Sequence, residues 1–430
     1  MSGRFVIEPP YERRILDPVL DELLAQLPAV AIEGARAVGK TATALQRARS
    51  VRQLDEPAQQ ALAAADLERL LQGPFPVLLD EWQNVPPVWD RVRRAVDGGA
   101  IPGSFILTGS SSPRETGTHS GAGRIVSMRL RPMSLAERWP GVATVSLDQL
   151  LTGTRADVTG HLDRGLVDYT DEIVRSGFPG IRSLHGRALR AQLDGYLARV
   201  VDRDFDELGA QLRNPAALTR WLRAYAAAVA TTTSLEKIRA AATGTRESPP
   251  AKTTVHSYRD ALERLFLLDE VRGWQPSRNQ LSQLALAPKH HLADPALAAT
   301  LLGVGAEELL DGQTTEFATP RDGALLGALF ESLITLSIKV YADATEAQVS
   351  HFRTRGGRHE ADLVVERHGR VVAVEIKLSE TVRPDAVEHL NWLDGQLGDD
   401  LLDKVVVTTG REAYRRKDGI AVVPAGLLGP

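Results

Sequence analysis

The sequence predicts an α/β protein: a parallel sheet first, a helical middle, and a second α/β unit at the C-terminus. Three observations predict it. The stretch Gly34-Ala-Arg-Ala-Val-Gly39-Lys40-Thr41 fits the pattern G-x-x-x-x-G-K-[ST], with a short apolar run, Ala29–Glu33, before it and a helix-forming run, Ala42 to Arg49, after it. Strand, loop and helix in that order are the context the pattern needs. Apolar strand-like runs at Val77–Glu81 and Ser104–Ser110 alternate with helical runs at Pro57–Leu71 and Val88–Val96. Such alternation implies a parallel sheet with its ligand at the carboxyl ends of the strands. Near the C-terminus, Ala361–Glu366 and Val371–Leu378 read as two strands joined by a short turn.

The 430 residues suffice for two or three domains, with boundaries expected at 1–145, 146–280 and 281–430. A hydrophobic share of 43% and a charged share of 25% suit a globular chain that buries real cores. The net charge of −4 announces no global basic field, so any nucleic-acid surface must be local. The absence of cysteine excludes disulfides and Cys-ligated zinc or iron–sulfur centres, and suits a reducing cytoplasm. The N-terminus, Met-Ser-Gly-Arg-Phe-Val-Ile-Glu, lacks the apolar core of a signal peptide. No uninterrupted run of about 18 apolar residues stands out, so no membrane-spanning helix is expected.

In the first unit, Tyr11 to Leu27 carries apolar residues at helical spacing and predicts a helix beside the first strand. In the loop Gly34, Ala35, Arg36, Ala37, Val38, Gly39, Lys40 and Thr41, glycines let backbone N–H groups converge, and the helix start adds positive potential, so polyphosphate is held. Lys40 would reach the β- and γ-phosphates and the Thr41 hydroxyl would sit on Mg²⁺. Asp80 and Glu81 close the strand at Val77. The first acid would help hold Mg²⁺, and the second would act as general base on the attacking water. Thr108 or Ser110, ending the next strand, would touch the γ-phosphate or its water. The segment from Ser111 to Gly123, rich in Ser, Gly and Thr, reads as a loop ending at Arg124. Arg124 either stabilises the transferring phosphoryl group, in cis or across a subunit interface, or is a solvated arginine opening a strand.

These blocks resemble the prokaryotic AAA-type ATPases that pair this nucleotide domain with an uncharacterised C-terminal domain. The residues that carry the resemblance are Gly34 to Thr41, Leu79-Asp-Glu-Trp-Gln-Asn-Val-Pro86, Phe105-Ile-Leu-Thr-Gly-Ser110, and Gly123-Arg124 leading into Leu130-Arg-Pro-Met-Ser-Leu-Ala-Glu137. The resemblance covers nearly the whole chain. It implies ATP with Mg²⁺, and places Gln83 and Arg124 near the nucleotide. Ala42 departs from it, where the family often has a second Thr.

In the middle, Leu147 to Gly186 reads as helical and connecting, and Arg187 to Leu208 as a long charged helix. Asn214-Pro215 predicts a helix start, with helices to about Val229, over Ser234–Ala242 and over Lys252–Leu265. A strand at Leu267–Gly273 completes a winged-helix order, which the resemblance also implies. In such modules the last helix can lie in a DNA groove, yet its outward residues Thr254, His256, Ser257 and Arg259 are barely basic.

In the last unit, Glu331 sits on an apolar helix (Ala324 to Tyr341), Asp362 opens one strand, and Glu375 and Lys377, two apart, share one face of the next. The set Glu331, Asp362, Glu375-x-Lys377 resembles the PD-(D/E)xK nuclease core. There Asp362 and Glu375 would bind Mg²⁺, which takes oxygen ligands, and Lys377 would orient water or neutralise the transition state. His359 and Glu360 precede Asp362, and the adjacent His290 and His291 show no zinc-like spacing. The expectation is an ATP-binding and ATP-hydrolysing switch coupled to a DNA-directed, metal-dependent nuclease-like domain. The alternative is a nucleotide-gated DNA-binding or protein-interaction regulator with an inactive nuclease fold. Neither needs a membrane, both suit the cytoplasm, and the oligomeric state stays open.

Overall fold

Five strands build the first sheet: β1 (Ala29–Glu33), β2 (Ser50–Gln53), β3 (Val77–Asp80), β4 (Phe105–Gly109) and β5 (Val126–Arg129), in the order β2-β3-β4-β1-β5. Every pair is parallel. The inner strands β1, β3 and β4 read as nearly unbroken apolar runs because both their faces are covered, whereas the edge strands β2 (Ser-Val-Arg-Gln) and β5 (Val-Ser-Met-Arg) are mixed. Val30, Ile32, Leu78 and Ile106 enter one core, while Ala29, Ala31, Val77, Leu79, Phe105 and Leu107 enter another. That is the period-two alternation of a strand written onto two opposed hydrophobic layers. The computed structural model describes residues 11–111, 122–205, 208, 214–243, 249–276, 286–311, 323–354, 356–384 and 387–430. Most of the predicted loop at Ser111–Gly123, and residues 244–248 of the loop before Lys252, lie outside those residues.

The first helix, Asp17–Gln26, begins later than its apolar spacing suggested. Pro18 sits in its first turn, where a missing N–H costs nothing. In the middle, β6 (Val145–Ser146) and β7 (Gly160–His161) punctuate short helices. The helix Gly186–Arg199 passes into a π-helical turn, Val200–Asp204, beyond which the Leu208 N–H still donates to the Asp204 carbonyl at 3.2 Å. Helices Pro215–Ala227, Leu235–Ala241 and Lys252–Arg264 follow. As its sequence predicts, Asn214 caps the first of them, its side chain accepting from the Ala217 N–H at 3.0 Å. Val255, Tyr258, Leu262 and Leu265 of the third are buried.

The strand expected after that helix does not form a free wing. Leu268 pairs with Leu292 and Val271 with Lys289, both antiparallel, and the chain continues into β8 (Arg272–Trp274). β8 is the edge of a second sheet containing β9 (Gln348–Arg353), β10 (Glu360–Arg367), β11 (Arg370–Lys377), β12 (Leu401–Thr408), β13 (Glu412–Arg415) and β14 (Ala421–Pro424). Its order is β7-β13-β14-β12-β11-β10-β9-β8. Both edge strands therefore come from chain segments before residue 281. β15 (Leu428–Gly429) pairs back onto β6. The β10–β11 hairpin turns through His368 and Gly369, both at positive φ (54° and 77°), as a tight hairpin turn requires.

The helix Gly323–Ala344 runs through the main core, which includes its Leu329, Phe330, Leu333, Ile334, Ile338 and Tyr341. Contrary to the sequence expectation, Ala324–Ala344 is long and apolar enough to cross a membrane by length and composition. Its apolar surface is instead spent inside the molecule, with 72% of the apolar window buried. It also caps the short helix Leu135–Arg138 of the nucleotide domain. The Leu135 N–H donates to Ser337 Oγ at 2.9 Å and the Ala136 N–H to Tyr341 Oη at 3.0 Å.

Candidate functional site

The phosphate-loop pattern lies where it should, between β1 and the helix Lys40–Leu45. Positive φ at Ala37 (66°) and Gly39 (99°) turns the loop on itself. The side chains of Ala35 and Val38 are core, so the loop offers its backbone rather than its side chains. Lys40 is buried and donates to the Gly34 and Ala35 carbonyl oxygens, both at 2.9 Å. Burial lowers its pKa to about 8, against the opposing pull of Glu81 and Asp80. The nearby acids are insufficient to offset the loss of water, and a triphosphate would supply what is missing.

Two residues outside the pattern support the loop. The Arg14 guanidinium is buried, donating to the Val38 carbonyl at 2.8 Å, to the Arg131 carbonyl at 2.8 Å and to Glu137 Oε1 at 2.9 Å. Glu137 also closes a capping box with Ser134, accepting from the Ser134 N–H at 2.7 Å. The block Leu130–Glu137 thus forms the loop's floor. A Cβ at Gly34 would stand 2.1 Å from the Leu130 carbonyl oxygen, inside any permissible contact with rigid backbone. The Gly34→Ala protein is expected to lose nucleotide binding while keeping its far-ultraviolet spectrum. Titration with a fluorescent ATP analogue checks this, and unchanged affinity would show that the loop has room to shift.

At the ends of β3 and β4 the acids are individually held. Thr41 Oγ1 donates to Asp80 Oδ1 at 2.8 Å, and Thr108 Oγ1 donates to the same oxygen at 2.5 Å. Burial raises the Asp80 pKa, against the two hydroxyls. Thr41 and Asp80 fit a magnesium ion, since 2.8 Å is close to the edge of about 2.9 Å between neighbouring ligands of an octahedral ion with bonds of 2.0–2.1 Å. Glu81 turns out of the strand in a left-handed conformation (φ 52°). Its backbone N–H donates to Thr108 Oγ1 at 3.1 Å, Ser110 Oγ donates to its Oε1 at 2.6 Å, and Gln83 Nε2 donates to its Oε2 at 2.5 Å. Thr108 is fully buried behind the two acids, so it positions Asp80 and Glu81 instead of touching phosphate, and Ser110 is the residue that reaches Glu81. Arg124 is not brought to the loop. Its Nε pairs with Asp97 Oδ1 at 2.8 Å on the surface, because it precedes β5, a strand parallel to β1, and so stands at the end of the sheet opposite the loop that follows β1.

The C-terminal acid set is brought together, but around amines. Lys289 Nζ lies 2.7 Å from Glu331 Oε1 and 3.0 Å from Asp362 Oδ1. Asp362 Oδ2 accepts from the Ile376 N–H at 2.8 Å. Lys377 Nζ pairs with Glu375 Oε1 at 2.5 Å. Burial and then the charge of Asp362 push Glu331 and Glu375 each up to about 8. Burial alone would raise Asp362 as well, but Lys289 and Lys377 outweigh it and hold Asp362 below the usual carboxylate range. The expected metal ligands Asp362 and Glu375 therefore face lysines, and among the described residues no group of three or more His, Asp or Glu side chains is placed to hold a metal ion. Lys289 was visible in the sequence only as the start of Lys289-His-His, and nothing in that string reveals an amine aimed at two distant acids. His359 stacks on Trp392 (4.3 Å between ring centres) and meets His389 at 3.5 Å rather than joining the acids.

A buried charge cluster joins the regions. Asp269 pairs with Arg129 (3.3 Å) and Arg131 (2.8 Å) from the end of the nucleotide sheet, and with Lys339 (2.9 Å) from the central helix, while Arg131 also pairs with Asp343. In addition, Arg36 of the phosphate loop pairs with Asp204 of the π-helical turn at 2.9 Å.

A family profile described as an AAA domain matches residues 26–139. Residues 26–139 are thus similar to an AAA domain, and the loop, lysine and acids described above lie within them. Two further profiles, both domains of unknown function (DUF8612 and DUF4143), match residues 166–308 and 326–428. An uncharacterized protein of Mycobacterium tuberculosis and one of Mycobacterium bovis are each 25% identical over 428 residues, 97% of this chain and 84% of the relative. Among solved structures, a Walker-type ATPase of Pyrococcus abyssi aligns at 17% identity over 68% of this chain and 96% of its own, with a TM-score of 0.43. The ORC2 protein of Aeropyrum pernix aligns at 17% identity over 70% and 94%, with a TM-score of 0.30.

Proposed function

We propose that this chain is an ATP-hydrolysing switch whose nucleotide state is passed to its C-terminal sheet. The observation that carries the reading is the pair of acids ending β3, with Asp80 on the Thr41 hydroxyl and Glu81 held at both carboxylate oxygens. Lys40 would leave the Gly34 and Ala35 carbonyls for the β- and γ-phosphates. Thr41 and Asp80 would hold Mg²⁺, which neutralises charge between those phosphates. Glu81 would accept a proton from the attacking water, once Ser110 or Gln83 releases one of its oxygens. The cluster around Asp269 and the Arg36–Asp204 pair are the routes by which loop movement would reach the rest of the chain.

For the C-terminal unit, the lysines on the acid set favour the alternative, a nuclease-like fold used for regulation, over metal-dependent cleavage. The case for DNA is equally unaided by charge. On the outward face of Lys252–Arg264, Lys252 pairs with Glu236 at 3.8 Å, and Arg259 pairs with Glu263 and Glu270. Sequence-independent DNA affinity needs a net basic surface.

ATP hydrolysis by the purified protein, with Lys40→Ala as control and with or without duplex DNA, tests the reading. Turnover that Lys40→Ala abolishes is expected; turnover surviving in that variant would remove the loop from the chemistry, and strong stimulation by DNA would reinstate a DNA partner. The state of Lys40 adds a pH test. Below about pH 8 its amine is charged in the free protein; above that it is neutral and ATP must draw a proton onto it. ATP affinity is expected to fall as pH rises past about 8, with proton uptake visible by calorimetry in buffers of different ionisation enthalpy. Flat affinity across that range would mean that Lys40 keeps its ordinary pKa.

A further inference from the structure

One charged side chain of the phosphate loop is tied outside it. Between Gly34 and Thr41 the ionised groups are Lys40 and Arg36, and Arg36 is the exception to a loop that otherwise offers backbone. Its Nη1 pairs with Asp204 Oδ1 at 2.9 Å, and its carbonyl accepts from Tyr196 Oη at 3.4 Å. Asp204 is 3% exposed and closes the π-helical turn Val200–Asp204. Single π-helical turns are rare and often mark functional sites. Phe178 packs on Tyr196, with 5.1 Å between ring centres, and Pro179 Cγ lies 3.7 Å from where a Cβ on Gly39 would stand. Phe178, Pro179, Tyr196 and Asp204 all lie outside residues 26–139, so a second part of the chain backs the loop.

Two features make Arg36–Asp204 an exchangeable pair instead of a fixed strut. Arg36 keeps 28% of its side chain in solvent, so it can leave without being stranded. Asp204 is not stranded by that departure either, because Arg199 Nε lies 4.0 Å from the same Oδ1. The guanidinium is also close enough to act on the loop's lysine. Burial is what chiefly lowers the Lys40 pKa to about 8, and the Arg36 charge pushes the same way. A triphosphate brought to that place carries the kind of charge Asp204 offers, and guanidinium takes phosphate oxygens as readily as carboxylate. Lys40 and the loop N–H groups serve the inner phosphates, which leaves the terminal one for a second cation.

We propose that Arg36 is a ligand of the terminal phosphate of ATP that Asp204 holds in reserve, so that carboxylate and triphosphate compete for one guanidinium. The proposal rests on the ATP site described above and gives that site a side chain that tells ATP from ADP. In the free protein Asp204 keeps Arg36 on the π-helical turn. With ATP bound, Arg36 crosses to the phosphate and Asp204 is left to Arg199. ADP, one phosphate shorter, leaves the pair intact. Asp204 thereby lowers ATP affinity by the fraction of molecules in which Arg36 is released.

The test is equilibrium titration of the full-length protein with a slowly hydrolysed fluorescent ATP analogue and with the matching ADP analogue. Asp204→Asn is expected to bind the ATP analogue at least about fivefold more tightly than the parent, and the ADP analogue equally well. Loss of a residue that merely braced the loop would weaken binding, the opposite sign. Arg36→Met is expected to bind the ATP analogue at least about tenfold more weakly with ADP little changed, and adding Asp204→Asn to it should gain nothing. If Asp204→Asn loses its cooperative melt, the ATP-against-ADP comparison in Arg36→Met carries the test, since a lost brace would weaken both nucleotides alike. Lys40→Ala separates the site from the exchange. Parent binding that survives in Lys40→Ala would overturn the site and the exchange together. Binding lost in Lys40→Ala, with a folded Asp204→Asn no tighter for ATP or with Arg36→Met weaker for both nucleotides, would overturn the exchange alone.

Discussion

The Glu81→Gln protein is expected to bind ATP as the parent does and to hydrolyse it about a hundred- to ten-thousand-fold more slowly, the span a positioned general base contributes. The substitution is chosen for its shape. Glutamine keeps the length of the side chain and its oxygen can still accept from Ser110, which donates to Oε1 at 2.6 Å, while its new amide N–H faces Gln83, whose own amide need only turn over to accept with its oxygen. What it removes is the ability to take a proton from water. Asp80, fixed by Thr41 and Thr108, is untouched, and so are the groups that would hold Mg²⁺. Single-turnover hydrolysis beside equilibrium ATP binding separates the two effects. Equal turnover in the variant would remove Glu81 from the chemistry; lost binding would show that the carboxylate is needed to shape the site.

The second large effect lies far from the phosphates. Asp269→Asn is expected to destabilise the protein by about 3–5 kcal/mol, the cost of breaking a buried charge cluster by removing one partner. Asp269 is 7% exposed and faces three cations, Arg129, Arg131 and Lys339, of which Arg131 also pairs with Asp343. Lys339 also donates to the Asp269 and Glu270 carbonyls, so it cannot easily turn away. Adding Lys339→Met should recover part of the loss by removing one stranded charge. Burial would raise the Asp269 carboxyl, but Arg129, Arg131 and Lys339 outweigh it and hold it well below the usual range. A carboxylate with a depressed folded pKa stabilises the fold above its unfolded value of about 3.9, and that stability drains away as pH falls below it. The parent should therefore lose stability in acid more steeply than Asp269→Asn. Thermal melts at neutral and acid pH check both points, and identical parent and variant melts would show that the cluster contributes nothing.

How much of this was legible beforehand follows a physical division. The phosphate loop, Asp80-Glu81 and the β10–β11 hairpin were readable because each is local. A strand, a turn and a helix start are decided by residues within a few positions of one another, through backbone freedom at Gly39, alternation along β1 and a two-residue turn at His368–Gly369. The acid set was readable as residue types on strands of known face. Its state was not, because Lys289 lies 42 positions from Glu331 and 73 from Asp362. The same distance hid Arg14 under the loop, the burial of Thr108, the attachment of Arg124 to Asp97, and the capture of the expected wing as the edge of the second sheet.

The sequence by itself determined that a polyphosphate loop with two acids would stand at the end of a parallel sheet, since that chemistry is written in contiguous residues. The tertiary structure decided which charges neutralise which. A buried carboxylate takes whichever cation the packed core brings within about 3 Å, and that partner is set by the fold's long-range contacts, not by its neighbours in the chain.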